Sequence, residues 1–238
     1  MTTPGTRTYQ LHLVTEPRKR ADELVRSVAL ALDGGVDWVQ LRDKSASAAA
    51  LFTEAKQLQT VVRQHRARLA VNDRLDVALE VGADAVHLAA QSLPVDNAVH
   101  LASHQLLVGR SVHDLDEAIK AARDGADYIT FGHVFPTSTH PRVPPRGLAQ
   151  LQIIVEAVDI PVLAIGGITV ANLDQVLSTG CAGVAVISAI LSDDDPCRAA
   201  ASLRRELDAS THQPRHPFPT PTPQRRQPHA THHQPATV

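Results

Sequence analysis

The sequence predicts a closed α/β barrel of eight βα units, and three observations lead to it. Short apolar or β-branched runs alternate with longer segments of helical periodicity. Eight such runs precede a sharp change of composition after Asp208. Several units also close on one kind of small-residue turn, and no dinucleotide-type glycine fingerprint follows the first run, which favours closure over an open doubly wound sheet.

In order, the predicted strands are Gln10 to Thr15, Trp38 to Leu41, Arg68 to Val71, Ala85 to Leu88, Leu106 to Gly109, Tyr128 to Phe131, Val162 to Ile165 and Gly183 to Ile187. Segments such as Ala21 to Asp33 and Ala48 to Gln64 lie between them, rich in Ala, Leu, Arg, Glu and Gln with apolar residues three and four apart. These read as helices. The turns are Gly34-Gly35, Val81-Gly82-Ala83-Asp84, Asp124-Gly125-Ala126-Asp127 and Thr179-Gly180-Cys181-Ala182, where glycine accepts a left-handed helix end at little steric cost. After Asp208 the chain becomes rich in Pro, His, Thr, Gln and Arg, a composition with little to bury. The expected organisation is therefore one TIM-barrel domain over 1–208 and a disordered Pro- and His-rich tail over 209–238.

With 238 residues and 43% hydrophobic content, the chain is long enough for a full core. A formal net charge of -2, with no stripe of Lys and Arg, argues against a nucleic-acid partner. Two cysteines, Cys181 and Cys197, make neither a disulfide framework nor a metal cluster and fit a reducing cytoplasm. No apolar segment approaches the roughly 20 residues of a membrane span. Barrels of this size often pair through outer helices, so a homodimer is an expectation.

Barrel enzymes draw their functional groups from the C-terminal ends of the strands. Those ends are Gln40-Leu41-Arg42-Asp43-Lys44, Asn72-Asp73-Arg74, His87 to Ser92, Arg110-Ser111-Val112-His113 and His133. Gly166-Gly167 after the seventh strand and Ile187-Ser188 after the eighth suggest a phosphate cradle of backbone N–H groups. His133 interrupts an apolar run, and His113 stands at a helix entrance; two imidazoles suggest proton transfer.

Gln40 to Lys44, Asn72-Asp73-Arg74, Gly82 to Leu88, Phe131 to Thr139, Ile165 to Ile168 and Ala185 to Ile190 recur in order, and together they resemble the thiamine phosphate synthase and TenI superfamily over roughly residues 9 to 208. The synthase branch joins an aminopyrimidine diphosphate to a thiazole phosphate with loss of pyrophosphate, assisted by Mg2+ and basic residues. For that branch the resemblance implies binding roles for Gln40, Arg42, Lys44, Asn72 and Ser111, with Asp73 as one magnesium carboxylate. Two positions depart from it. Ser92 stands where the second magnesium aspartate belongs, and His140 stands where a lysine follows Thr137-Ser138-Thr139. In contrast, Gly109-Arg110-Ser111-Val112-His113 and Phe131-Gly132-His133-Val134-Phe135 are similar to the TenI-type thiazole tautomerase. Its reaction moves one proton on a phosphorylated thiazole and needs no metal.

The expectation is accordingly a thiazole tautomerase without cofactor, the synthase being its alternative and a non-catalytic scaffold a third reading. His133 is the expected acid/base and His113 its neighbour. Gly167, Ile187 and Ser188 are expected on the phosphate, with Thr137, Ser138 and Thr139 among the binding residues. Arg42 and Arg110 are candidates for the substrate carboxylate, whose two oxygens match a guanidinium fork.

Overall fold

Side chains alternate between the two faces of a strand, and in this chain both faces are apolar for most of each strand's length. That pattern suits strands covered by helices outside and packed against one another inside. In the computed structural model, which describes residues 8–16, 21–138 and 141–218, eight parallel strands close into one barrel. They are β1 (Gln10–Val14), β2 (Trp38–Leu41), β3 (Arg68–Asn72), β4 (Ala85–Leu88), β5 (Leu107–Val112), β6 (Tyr128–Gly132), β7 (Val162–Ile165) and β8 (Gly183–Val186). Each pairs with the next, and β8 returns to β1 through registers such as Leu11 with Val184.

The helices are α1 (Ala21–Asp33), α2 (Ala48–Gln64), α3 (Leu75–Val81), α4 (Val95–Ala102), α5 (Leu115–Arg123), α6 (Gly147–Ala157), α7 (Leu173–Leu177), α8 (Ser188–Leu191) and α9 (Pro196–Ala209). Most of the core lies between strands and helices, with Leu11, Leu13, Val39, Leu69, Val86, Val108, Ile129 and Val184 facing outward onto it. Trp38, Ala70, Ala85, Leu107, Tyr128 and Leu163 fill the lower interior of the barrel. The predicted turns hold, since Gly82, Gly125 and Gly180 all take positive φ. Closure is braced by Arg204 on α9, whose guanidinium donates to the Tyr9 carbonyl and to Asp37, both at 3.0 Å.

The structure departs furthest from expectation in two places, while β1, β3, β6 and β8 differ by one residue at their C-terminal ends. Strand β5 continues three residues past Gly109, because Arg110, Ser111 and Val112 pair with Ile129, Thr130 and Phe131. The predicted tail also begins too early. The chain packs back beneath the barrel as far as Phe218, which is buried and stacks near Tyr128, His12 and Trp38 at ring separations of 4.9, 5.3 and 5.5 Å. One aromatic side chain among prolines thus finds apolar surface to cover. The remainder of the predicted tail lies outside the described residues.

Candidate active site

The C-terminal mouth of the barrel holds a cavity of about 610 Å³, lined from the ends of all eight strands, with Val14 the contribution of β1. Its β2 and β3 wall presents Gln40, Arg42, Lys44 and Asn72. Period-2 alternation explains this grouping, since Gln40 and Asn72 point inward while Val39 and Val71 face the helices. Gln40 donates to Asn72 Oδ1 at 3.1 Å, and Asn72 donates onward to Asp73 at 2.7 Å. The amide pair is thereby fixed, and the Gln40 oxygen remains directed to ligand chemistry as an acceptor.

The opposite wall is made of backbone. Gly166 and Gly167 have positive φ, and Gly167 lies so close to the loop after β6 that a Cβ would stand 2.4 Å from the Pro136 carbonyl. Ile187 and Ser188 open the single turn α8, whose first N–H groups have no upstream carbonyl within the helix. These groups stand together where the sequence placed an anion cradle.

His133 stands between the walls. It is buried and lines the cavity, and its Nε2 lies 3.1 Å from the Val143 carbonyl of the loop above. A Cβ on Gly166 would come within 2.2 Å of His133 Cβ, so that glycine allows the β6 and β7 ends to touch. Arg146 clamps the same corner by donating to the Gly132 carbonyl at 3.0 Å.

Most predicted site residues meet here. Gln40, Arg42, Lys44, Asn72, Ser111, Thr137, Gly167, Ile187, Ser188, His113 and His133 all line the cavity. Arg110 does not: alternation turns it to the helix side with Val108 and Val112, where it donates to the Ala89 carbonyl at 2.8 Å. It is therefore no partner for a carboxylate in the cavity. Ser138 is exposed outside the lining, and Thr139 lies outside the described residues. His113 sits at the rim with its Nδ1 3.0 Å from Glu117, four residues on, so α5 holds it more than His133 does. Sequence reasoning passed over Arg146 and Thr130 as lining residues. Arg146 carried one signal, its place immediately before the Gly147 that opens α6.

The magnesium that the synthase branch implies has one carboxylate to meet it. Asp73 lies just behind the lining; its Oδ1 accepts the Ala89 N–H at 2.9 Å and the Ser92 hydroxyl, while Oδ2 accepts from Asn72. No group of three or more His, Cys, Asp or Glu is gathered among the described residues. The residues fit a magnesium held by one carboxylate together with phosphate oxygens of a substrate, a mode this cation commonly adopts. Ser92 supplies no second charge.

His87 lines the cavity floor, and its pKa is pushed down to about 4 by burial, with Asp73 opposing and Arg110 adding to the shift. Burial drives His12, deeper still, well below its ordinary value. Neither ring is a cation at neutral pH.

A barrel whose mouth sets glycine-rich backbone at β7 and β8 against a cationic wall at β2 has the form of enzymes that work on small phosphorylated substrates. The model of the thiamine monophosphate synthase family matches residues 11–190, and the chain belongs to that family of thiamine-biosynthesis enzymes. A thiamine-phosphate synthase of Pyrococcus abyssi is 41% identical over 84% of this chain and 95% of its own length. One from Chlorobium phaeovibrioides is 43% identical over 75% and 86%. The solved thiamine phosphate pyrophosphorylase of Pyrococcus furiosus superposes with a TM-score of 0.78 at 40% identity, over 84% of this chain and 96% of its own. These names favour the synthase branch over the tautomerase expected from the histidine motifs. No described helix is long and apolar enough to cross a membrane.

Proposed function

We propose that the protein is a thiamine-phosphate synthase, joining an aminopyrimidine diphosphate to a thiazole phosphate with release of pyrophosphate. The observation that carries the reading is the two-ended cavity. A backbone cradle for one phosphate stands at Gly167 and Ser188, and a separate cationic pair, Arg42 and Lys44, stands at the β2 end. A reaction with two anionic substrates uses both ends, with a diphosphate at the cationic pair; the rearrangement of a thiazole carboxylate phosphate brings only a single carboxylate to that pair. Relatives of that name at 41% and 43% identity support the same choice.

In this mechanism the cradle fixes the thiazole phosphate, and its ring nitrogen forms a bond to the methylene of the pyrimidine as the bond to the diphosphate oxygen breaks. Arg42 and Lys44 stabilise the charge that collects on the departing group, the largest contribution a preorganised site makes. Gln40 and Asn72, locked to each other, orient the pyrimidine. Magnesium, when bound through Asp73 and the diphosphate, neutralises further charge.

A second reading, tautomerisation of the exocyclic-alkene thiazole carboxylate phosphate, is favoured by one specific arrangement. Ser92 occupies the second carboxylate position and is bonded to Asp73, while His133 faces the cavity. An imidazole whose ordinary pKa is about 6.5 suits proton removal and return.

The two are separated by supplying each set of substrates to purified protein. With aminopyrimidine diphosphate, thiazole phosphate and magnesium, release of pyrophosphate is expected together with thiamine phosphate. Conversion of the exocyclic tautomer, with no pyrophosphate from the first mixture, overturns the synthase reading and installs the second.

A further inference from the structure

A line of polar groups runs from the cavity floor into the barrel interior. Ser111 lines the cavity, and its Oγ lies 2.9 Å from His87 Nε2. The other ring nitrogen, Nδ1, lies 3.2 Å from the hydroxyl of Tyr128, which is fully buried. Below Tyr128 the packing becomes aromatic, with His12, Trp38 and Phe218.

The seat for Tyr128 is built into the opposite strand. Gly109 is its register partner on β5, and a Cβ there would stand 2.2 Å from Tyr128 Cζ and 2.5 Å from the hydroxyl. Any larger residue would displace the ring and take the hydroxyl away from His87.

Three groups in a row with one proton each leave two arrangements. In the first, the Tyr128 hydroxyl donates to His87 Nδ1, Nε2–H donates to Ser111 Oγ, and the serine proton is left for the cavity. In the second, Ser111 donates to Nε2 and Nδ1–H donates to Tyr128, which leaves the phenol proton buried with no acceptor. A buried donor without a partner bears its full desolvation penalty, a bias of about tenfold or more between the two arrangements. The His12 ring, 6.1 Å from that of Tyr128 between centroids, makes no bond to the phenol, and its Nε2 has no hydrogen-bond partner.

We propose that Tyr128 and His87 are positioning residues that lock the Ser111 hydroxyl as a donor toward the cavity, so that this end of the site selects a ligand carrying a hydrogen-bond acceptor there. The ring nitrogen of an aminopyrimidine is such an acceptor, and the Gln40 amide oxygen nearby complements an exocyclic amine. The lock rests on the cavity being the active site; its pyrimidine ligand rests on the synthase reading.

Nitrogen-15 NMR of the full chain at pH 7, with His87 assigned by its loss in His87→Gln, reads the lock without any substrate. An Nε2–H tautomer at His87 is expected, and an Nδ1–H tautomer overturns the proposal. Tyr128→Phe keeps the ring in its seat and removes only the donated proton. It is expected to give a mixture of tautomers at His87; an unchanged tautomer overturns the role of Tyr128. Calorimetry with aminopyrimidine diphosphate then reads the ligand end. The same variant is expected to weaken binding about threefold to tenfold, the worth of one neutral hydrogen bond, while inorganic pyrophosphate binds as before. Wild-type affinity for both probes overturns the lock. Failure of the wild-type protein to bind aminopyrimidine diphosphate, with the Nε2–H tautomer intact, removes the pyrimidine assignment and the synthase reading and leaves the lock standing.

Discussion

The two walls of the cavity are built by different means. At β7 and β8 the work falls to backbone: Gly166, Gly167 and the opening of α8 present N–H groups whose positions depend on close approach and positive φ. At β2 and β3 it falls to side chains, Arg42 and Lys44 supported by the Gln40 and Asn72 pair. A backbone wall is specified by shape and tolerates almost no added atom. A side-chain wall is specified by charge, and its residues can be exchanged without moving the chain. The second wall is therefore where one member of a family can depart from another, and Ser92 and Asp73 show such a departure.

Substitution of Arg42 by Ala breaks the comparison most forcefully. Pyrophosphate affinity is expected to fall about tenfold to a hundredfold, as for loss of a charge-assisted hydrogen bond, with thiazole phosphate affinity within about twofold of wild type. Calorimetry with each anion checks this, and an equal loss for both would merge the walls into one site. Gly167→Ala tests the other side. Its φ of +67° and the 2.4 Å approach to the Pro136 carbonyl leave no room for a methyl group. A loss of about tenfold in thiazole phosphate affinity, with a lower melting temperature, is expected. Ser92→Asp sharpens the contrast by restoring a second carboxylate. Magnesium should then support pyrophosphate release at a concentration about threefold lower, read from the metal dependence of the rate. No change in that dependence would mean the Asp73 corner does not hold the metal.

The fold was legible because its signal is periodic and repeated. Four strands, β2, β4, β7 and the start of β6, stand where the apolar runs placed them, and the glycine turns fall between units as expected. The misreadings share a cause, which is that a residue's type conceals the direction it faces. Arg110 looks like a site residue until strand β5 is seen to extend through it and alternation turns it outward. Phe218 looks like part of a solvated tail until the open floor of the barrel is seen to accept it. His113 and His133 form a pair in the sequence, yet Glu117 engages one and the Val143 carbonyl the other. Arg146 reaches the cavity because the loop from Pro141 folds back over β6, and its one local signal, the Gly147 that follows, does not specify where the side chain lands.

The account stands on two anions occupying one cavity together. Titrating inorganic pyrophosphate into protein already saturated with thiazole phosphate measures this directly. Pyrophosphate is expected to bind with an affinity within about threefold of that for the free protein, and Arg42→Ala to weaken only this second event, by about tenfold to a hundredfold. Displacement of thiazole phosphate by pyrophosphate, with an apparent affinity that weakens in proportion to the thiazole phosphate present, would show a single anion site and contradict the account.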